Sequence, residues 1–326
     1  MIKTIVSTEL PVDEQFRIRK NVIQHGRKDG LRFCVVTGTH GDELEGQMVC
    51  YELARIAGEH IDALDGTLEI YPALNPLGID TIQRGIPNFD LDMNRIFPGD
   101  PNGTMAEQTA HAIVEDIKGA DMVIDIHSSN LYLRETPQVR INVQDAEWLV
   151  PFAEQLGMDF VWVHDAATVL EATLAHSLNS TGTPCLVVEM GVGQRINHKM
   201  CRRLVTGILH LMQTMGMWRM AGETNDQTGK QPNDQYPNDQ TTKKPIICQG
   251  DHVVFLNAET SGVFLTEMKC GTGVSRDQVI GKIVDPLRGK ILSTVVSPVD
   301  GYLFTIRAYP IVYEGSLMAR IFKNEE

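Results

Sequence analysis

From residue 31 to residue 217 short β-branched, apolar runs alternate with stretches of helical periodicity, and that alternation leaves the chain few folds to choose from. The runs at 31–36, 66–74, 122–126, 139–143, 160–163 and 186–188 read as strands. Helical patterns lie between them, at 44–56, 104–117, around 150–156 and from about 199 to 217. In the first of these Leu44, Met48, Val49, Leu53 and Ile56 share a face; the second opens on Thr104 with Glu107 three residues later, the signature of a capping box. Such an order predicts an α/β fold with a mixed, mostly parallel sheet flanked by helices. In sheets of this kind ligands bind outside the carboxyl ends of the strands.

Three of those strand ends carry side chains able to handle a metal or a proton. The run 31–36 leads through Thr37-Gly38-Thr39 into His40-Gly41-Asp42-Glu43, the run 122–126 ends in His127, and the run 186–188 ends in Glu189. A His-x-x-Glu spacing just beyond a strand can turn an imidazole and a carboxylate toward one ion. Zinc accepts that mixture of nitrogen and oxygen, and a catalytic site needs three protein ligands with a fourth position left open. The segment 77–103, rich in Gly, Pro, Asn and Asp, is too long for a simple connection, and loops of that length are usually functional. His111, His164, His198 and His210 have no partner at ligand spacing and read as surface or cap positions.

A formal net charge of -13 and the lack of any Lys/Arg cluster exclude a nucleic-acid surface, which works through clustered cations. Six scattered cysteines without a C-x-x-C pair, no apolar stretch near 20 residues, and no signal-peptide pattern at the N-terminus lead us to expect a cytoplasmic protein that does not engage a membrane. At 326 residues two units are expected. Residues 1–220 form the α/β unit. The stretch 221–245 repeats Asn-Asp-Gln three times with almost nothing apolar, and reads as a flexible linker or loop. Residues 246–326 carry short glycine-punctuated strands and read as a small all-β domain.

Taken in order, His40-Gly-Asp-Glu43, Asn75-Pro76, Asp92-Met-Asn94-Arg95-Ile-Phe97, Asp125-Ile-His127 and Val188-Glu189-Met-Gly191 resemble the succinylglutamate desuccinylase/aspartoacylase family of zinc-dependent deacylases, within the zinc carboxypeptidase superfamily. The resemblance spans roughly residues 31–195, and the C-terminal unit looks like the biotinyl/lipoyl-like β-domain such deacylases carry. It implies one Zn2+ per chain, held by His40, Glu43 and His127, with Glu189 as general acid/base. It further implies that Asn94 and Arg95 hold a substrate carboxylate, and that Arg84 stabilises the oxyanion at the scissile carbonyl. Where aspartoacylases place another substrate-binding arginine shortly before the catalytic glutamate, the best-placed residue here is His176, a departure that speaks against a dicarboxylate substrate. Tyr302, Tyr309 and Tyr313 are the candidates for a tyrosine that the family's C-terminal domain contributes.

The expectation is therefore a hydrolase, a zinc-dependent amidohydrolase that cleaves the amide of a small N-acyl amino acid or related N-acyl amine, with no nucleic-acid or membrane partner and with homo-oligomerisation left open. A metallocarboxypeptidase for short peptides, and a non-catalytic binding protein on the same fold, are the competing readings.

Overall fold

The computed structural model of the chain describes residues 1–165, 171–219, 244–250 and 252–323. It opens with a hairpin, β1 (Ile2–Leu10) and β2 (Glu14–His25). The α/β part follows as β3 (Arg32–Thr37), α1 (Glu45–Glu59), β4 (Gly66–Tyr71), α2 (Pro76–Thr81), α3 (Met105–Ile117), β5 (Met122–Ser128), β6 (Leu133–Asn142), α4 (Ala146–Gln155), β7 (Phe160–His164), α5 (Leu174–Asn179), β8 (Cys185–Gly191) and α6 (His198–Thr214). The last part holds β9 (Ile246–Gln249), β10 (Val253–Asn257), β11 (Gly262–Thr266), β12 (Thr272–Val274), β13 (Val279–Asp285), β14 (Lys290–Val296), β15 (Gly301–Arg307), β16 (Ile311–Val312) and β17 (Leu317–Lys323). The expected linker lies, up to residue 243, outside the described residues.

Strands β4, β3, β5 and β8 run parallel at the centre of a mixed sheet. Because both faces of this centre are covered, β3 is apolar at successive positions rather than alternating. Phe33 and Val35 pack with α1, α4 and α6, whereas Cys34 and Val36 pack with α3 and α5 on the other side. Thr104 and Glu107 form the predicted capping box at the start of α3. No helix among the described residues is long and apolar enough to cross a membrane. Five of the six cysteines are buried, and burial pushes the Cys50 thiol up to about 12.

The C-terminal strands are not a detached module. β6 pairs antiparallel with β8 on one side and with β15 on the other, and the ladder continues through β17 to β10. β7 pairs with β6 and also takes β9 as a parallel neighbour. Among the described residues, thirteen strands thus belong to one sheet, and β14, β13, β11 and β16 make a separate four-stranded antiparallel sheet. Phe160 stacks on Phe304 with ring centroids 4.5 Å apart, and Tyr302 and Phe322 pack around them, so aromatic side chains fill the seam between the two parts.

Candidate metal centre and active-site cleft

The loop after β3 carries His40 and Glu43 because it lies backbone to backbone on α2. Gly41 donates its N–H to the Gln83 carbonyl at 3.1 Å, and a Cβ there would sit 2.0 Å from the Gly78 carbonyl carbon. Glycine is the residue that permits that approach. The neighbouring Asn75-Pro76 pair does the complementary work. Pro76 starts α2, the Asn75 side chain accepts from Gly78 N at 2.9 Å, and its Nδ2 donates to Gly85 O at 2.9 Å. The cap therefore also ties down the backbone next to Arg84.

His40, Glu43 and His127 come together as the one group of potential metal ligands found among the described residues, all three buried. The two Nδ1 atoms are 3.2 Å apart. Glu43 Oε1 lies 2.8 Å from His40 Nδ1, and Oε2 lies 2.9 Å from His127 Nδ1. A tetrahedral ion with arms of about 2.0–2.1 Å sets its ligand atoms roughly 3.3–3.4 Å apart, so this trio is a slightly contracted version of such a set. Their outer partners agree. His40 Nε2 donates to Asp92 Oδ1 at 3.0 Å, which leaves its Nδ1 lone pair facing the trio. Asp125 Oδ2 stands 3.2 Å from His127 Nε2 but out of hydrogen-bond alignment, and both groups are buried without another hydrogen-bond partner among the described residues. The donor set and the orphaned buried groups behind it fit a divalent ion.

Electrostatically the trio is a nest of mutually dependent charges. Burial alone would lower both imidazole pKa values, yet the carboxylates outweigh it. Glu43 and the Asp92 hydrogen bond raise His40, and Asp125 and Glu43 raise His127 well above the usual range. Glu43 is held far below the ordinary carboxylate range by the two histidines, against the effect of its own burial. Arg84 Nη1 adds a 2.9 Å contact to Glu43 Oε1, and its Nε lies 3.4 Å from Asp92 Oδ2.

Glu189 is the register partner of His127 on the neighbouring parallel strand, which brings it beside the trio. Burial pushes its carboxyl up to about 7; Glu135 and Glu43 push the same way, and Arg140 and His127 oppose. Gly191, with φ +71°, turns the chain after it, where a Cβ would strike the Glu45 carboxylate.

A cavity of ≈ 390 Å³ takes in His40, His127, Glu189, Arg84, Asn94 and Arg95. Asn94 Oδ1 accepts from Leu174 N at 3.0 Å, so half of its amide anchors α5. Arg95 pairs with neither Asp90 nor Asp92 of its own loop: Nη1 donates to Asn94 O at 2.7 Å, and no carboxylate ion-pairs with it among the described residues.

His176 lies apart from the other expected substrate-binding residues. It does not line the cavity, and its Nδ1 sits 3.4 Å from Gln144 Nε2. On α5 the residues four apart, Ala175 and Asn179, face the cleft, and His176 is turned about 100° from the first and about 60° from the second. None of Tyr302, Tyr309 and Tyr313 lines the cavity either. The side chain that the C-terminal strands supply is Arg320, together with Arg140 and Trp162 from β6 and β7; His164, given no role from the sequence, also reaches the cleft. The sequence carried no signal for Arg320. Asp125 is legible there, because it stands two residues before His127 on β5, the same-face spacing of a strand; Asp92 caps the turn that carries Asn94, and only the fold brings it to His40.

The profile described as Succinylglutamate desuccinylase/Aspartoacylase catalytic domain matches residues 29–215. Over 121 residues the chain is 31% identical to the N-alpha-acetyl-L-2,4-diaminobutyric acid deacetylase of Halomonas elongata, a stretch that covers 36% of this chain and 34% of the relative, about a third of the relative's length. Among solved structures, the succinylglutamate desuccinylase/aspartoacylase from Rhodobacter sphaeroides superposes with a TM-score of 0.77 at 22% identity, covering 99% of this chain and 96% of the other. The product-bound ectoine utilization protein EutE (DoeB) from Ruegeria pomeroyi gives 0.78 at 18% identity, with coverage of 98% and 93%. These two likenesses concern the fold, and the profile match, over more than half of the sequence, concerns descent: the chain belongs to the succinylglutamate desuccinylase/aspartoacylase family.

Proposed function

We propose that this protein is a zinc-dependent deacylase that hydrolyses the amide bond of a small N-acyl amino acid. The observation that carries the reading is the meeting of His40, Glu43 and His127 beside Glu189, at a cavity that also holds Arg95, a guanidinium with no carboxylate partner among the described residues. Family membership and the deacetylase relative support hydrolysis of an N-acyl bond.

His40 and His127 through Nδ1, and Glu43 through its carboxylate, would hold the ion. When bound, zinc acidifies water to a pKa of about 7 and polarises a carbonyl oxygen. Glu189, poised near neutrality, takes the proton from the attacking water and returns it to the departing nitrogen. Arg84 keeps positive charge beside Glu43, where the carbonyl oxygen gains negative charge. Arg95 offers a planar fork to the substrate carboxylate, and Asn94 Nδ2 remains on the same wall. A cavity of ≈ 390 Å³ suits a small molecule better than a polypeptide end.

The test combines metal analysis of the purified protein with a panel of N-acyl amino acids run beside dipeptides. Glu189→Gln should retain the metal and lose turnover by about 10²–10⁴-fold. Full activity in that variant sinks the mechanism, and preferential dipeptide hydrolysis would hand the site to a carboxypeptidase.

A further inference from the structure

Glu189 is held by a relay of charges that begins in the C-terminal strands. Glu135, on β6, is 1% exposed and receives two guanidinium groups. Arg140 Nη2 donates to both of its oxygens, at 2.8 and 2.9 Å, and Arg320 Nη1, from β17, reaches Oε1 at 2.6 Å. Thr305 Oγ1, from β15, adds a longer bond of 3.4 Å to the same oxygen. The other terminal nitrogen of Arg140, Nη1, lies 3.3 Å from Glu189 Oε1. Both guanidinium groups rest over the Trp162 ring, 5.5 and 5.6 Å from its centroid, which adds a cation–π contact to each.

Two cations here serve two anions, and the division between them is what matters. A buried carboxylate left short of donors draws in whatever cation is near, and a guanidinium prefers to meet it with two parallel N–H bonds. With Arg320 on Oε1, Glu135 is satisfied while Arg140 gives it only Nη2, and Nη1 stays on Glu189. Without Arg320, Glu135 would take both terminal nitrogens of Arg140, and Glu189 would lose its fixed neighbour.

We propose that Arg320 is a positioning residue for the deacylation: by occupying Glu135 it keeps Arg140 Nη1 on Glu189 and so fixes the proton-carrying carboxylate beside His127. The inference rests on the deacylase reading for its kinetic consequence but not for its structural one. It also gives the continuous sheet a function, since β6, β15 and β17 are neighbours and the relay runs across them.

The test is made on the full-length, metal-loaded protein. Arg320→Met should lower kcat about 10–100-fold, with KM within about threefold and the metal content unchanged, the pattern of a group that acts on the reacting step rather than on substrate affinity. Adding Glu135→Gln removes the carboxylate that competes for Arg140, so Glu135→Gln/Arg320→Met should regain at least tenfold of that loss. Guanidinium ion at millimolar concentration should restore part of the rate to Arg320→Met and none to Glu189→Gln. A crystal structure of Arg320→Met should find Arg140 Nη1 on Glu135, more than 4 Å from Glu189. If Arg320→Met does not fold, Arg320→Lys, which keeps the charge on Glu135, is expected to retain most of kcat. The proposal is overturned by a kcat within twofold of wild type in Arg320→Met, by a loss that neither Glu135→Gln nor guanidinium restores, or by Arg140 staying on Glu189 in the variant structure. A wild-type protein that cleaves no N-acyl amino acid would refute the deacylase reading, and the Arg140–Glu189 distance in the variant would still decide the positioning.

Discussion

Asp92 binds three neighbours at once: it accepts from His40 Nε2, from Asn94 N at 2.9 Å, and it lies against Arg84 Nε. Its carboxyl is held far below the ordinary range; burial opposes this, and the bond to His40 and the charges of His40 and Arg84 prevail. Outer partners of a metal-binding imidazole fix its tautomer and its aim. Asp92→Ala should therefore weaken metal affinity about 10–100-fold, read by competition with a chromophoric chelator, and Asp92→Asn should lose less because its amide oxygen still accepts. An unchanged affinity in Asp92→Ala would separate His40 from the metal. Arg95 makes the opposite prediction. With its guanidinium tied, among the described residues, only to a backbone carbonyl, Arg95→Ala should raise KM for a carboxylate-bearing substrate about 10–100-fold, the value of one charge-assisted contact. Hydrolysis of an N-acyl amine that lacks the carboxylate should be almost unaffected, and equal losses on both substrates would place Arg95 elsewhere in the chemistry.

At the level of single elements, the secondary structure follows local chemistry closely. The capping box of Thr104 and Glu107 starts α3 where the sequence said it would, with Thr104 N donating to Glu107 Oε2 at 2.7 Å. Thr104→Ala should cost about 1 kcal/mol in urea unfolding and leave kcat unchanged, because α3 contributes no residue to the cavity. A fall in kcat with stability intact would show that α3 influences the site. The short helices were harder to read. α2 and α5 each span six residues, below the length at which an apolar period can be recognised, and both are fixed by tertiary bonds from Asn75 and Asn94. The rotation of α5 about its axis decides that Ala175 and Asn179 face the cleft and His176 does not.

For the molecule as a whole, the consequence of the shared sheet is that the C-terminal strands cannot be dispensed with. Removing residues 246–326 would strip β15 from β6 and β9 from β7, leaving two unpaired edges and the apolar rings of Phe160 and Trp162 uncovered. Such a truncated chain should aggregate on expression and bind no substrate. A soluble, active fragment would mean that the seam is incidental.

Sequence alone determined what local rules encode. Side-chain periodicity distinguished strands from helices, glycine and asparagine marked the turns around the cleft, and His40, His127 and Glu189 stood at strand ends, where an α/β sheet presents its ligands. Tertiary structure decided what depends on the order of strands and the rotation of helices. Glu135 and Arg320 are 185 positions apart and neither lies in a motif; they meet because β6 pairs with β15 and β15 with β17. Pairing of that kind is a property of the whole sheet's closure and packing, and no local pattern around either residue specifies its partner.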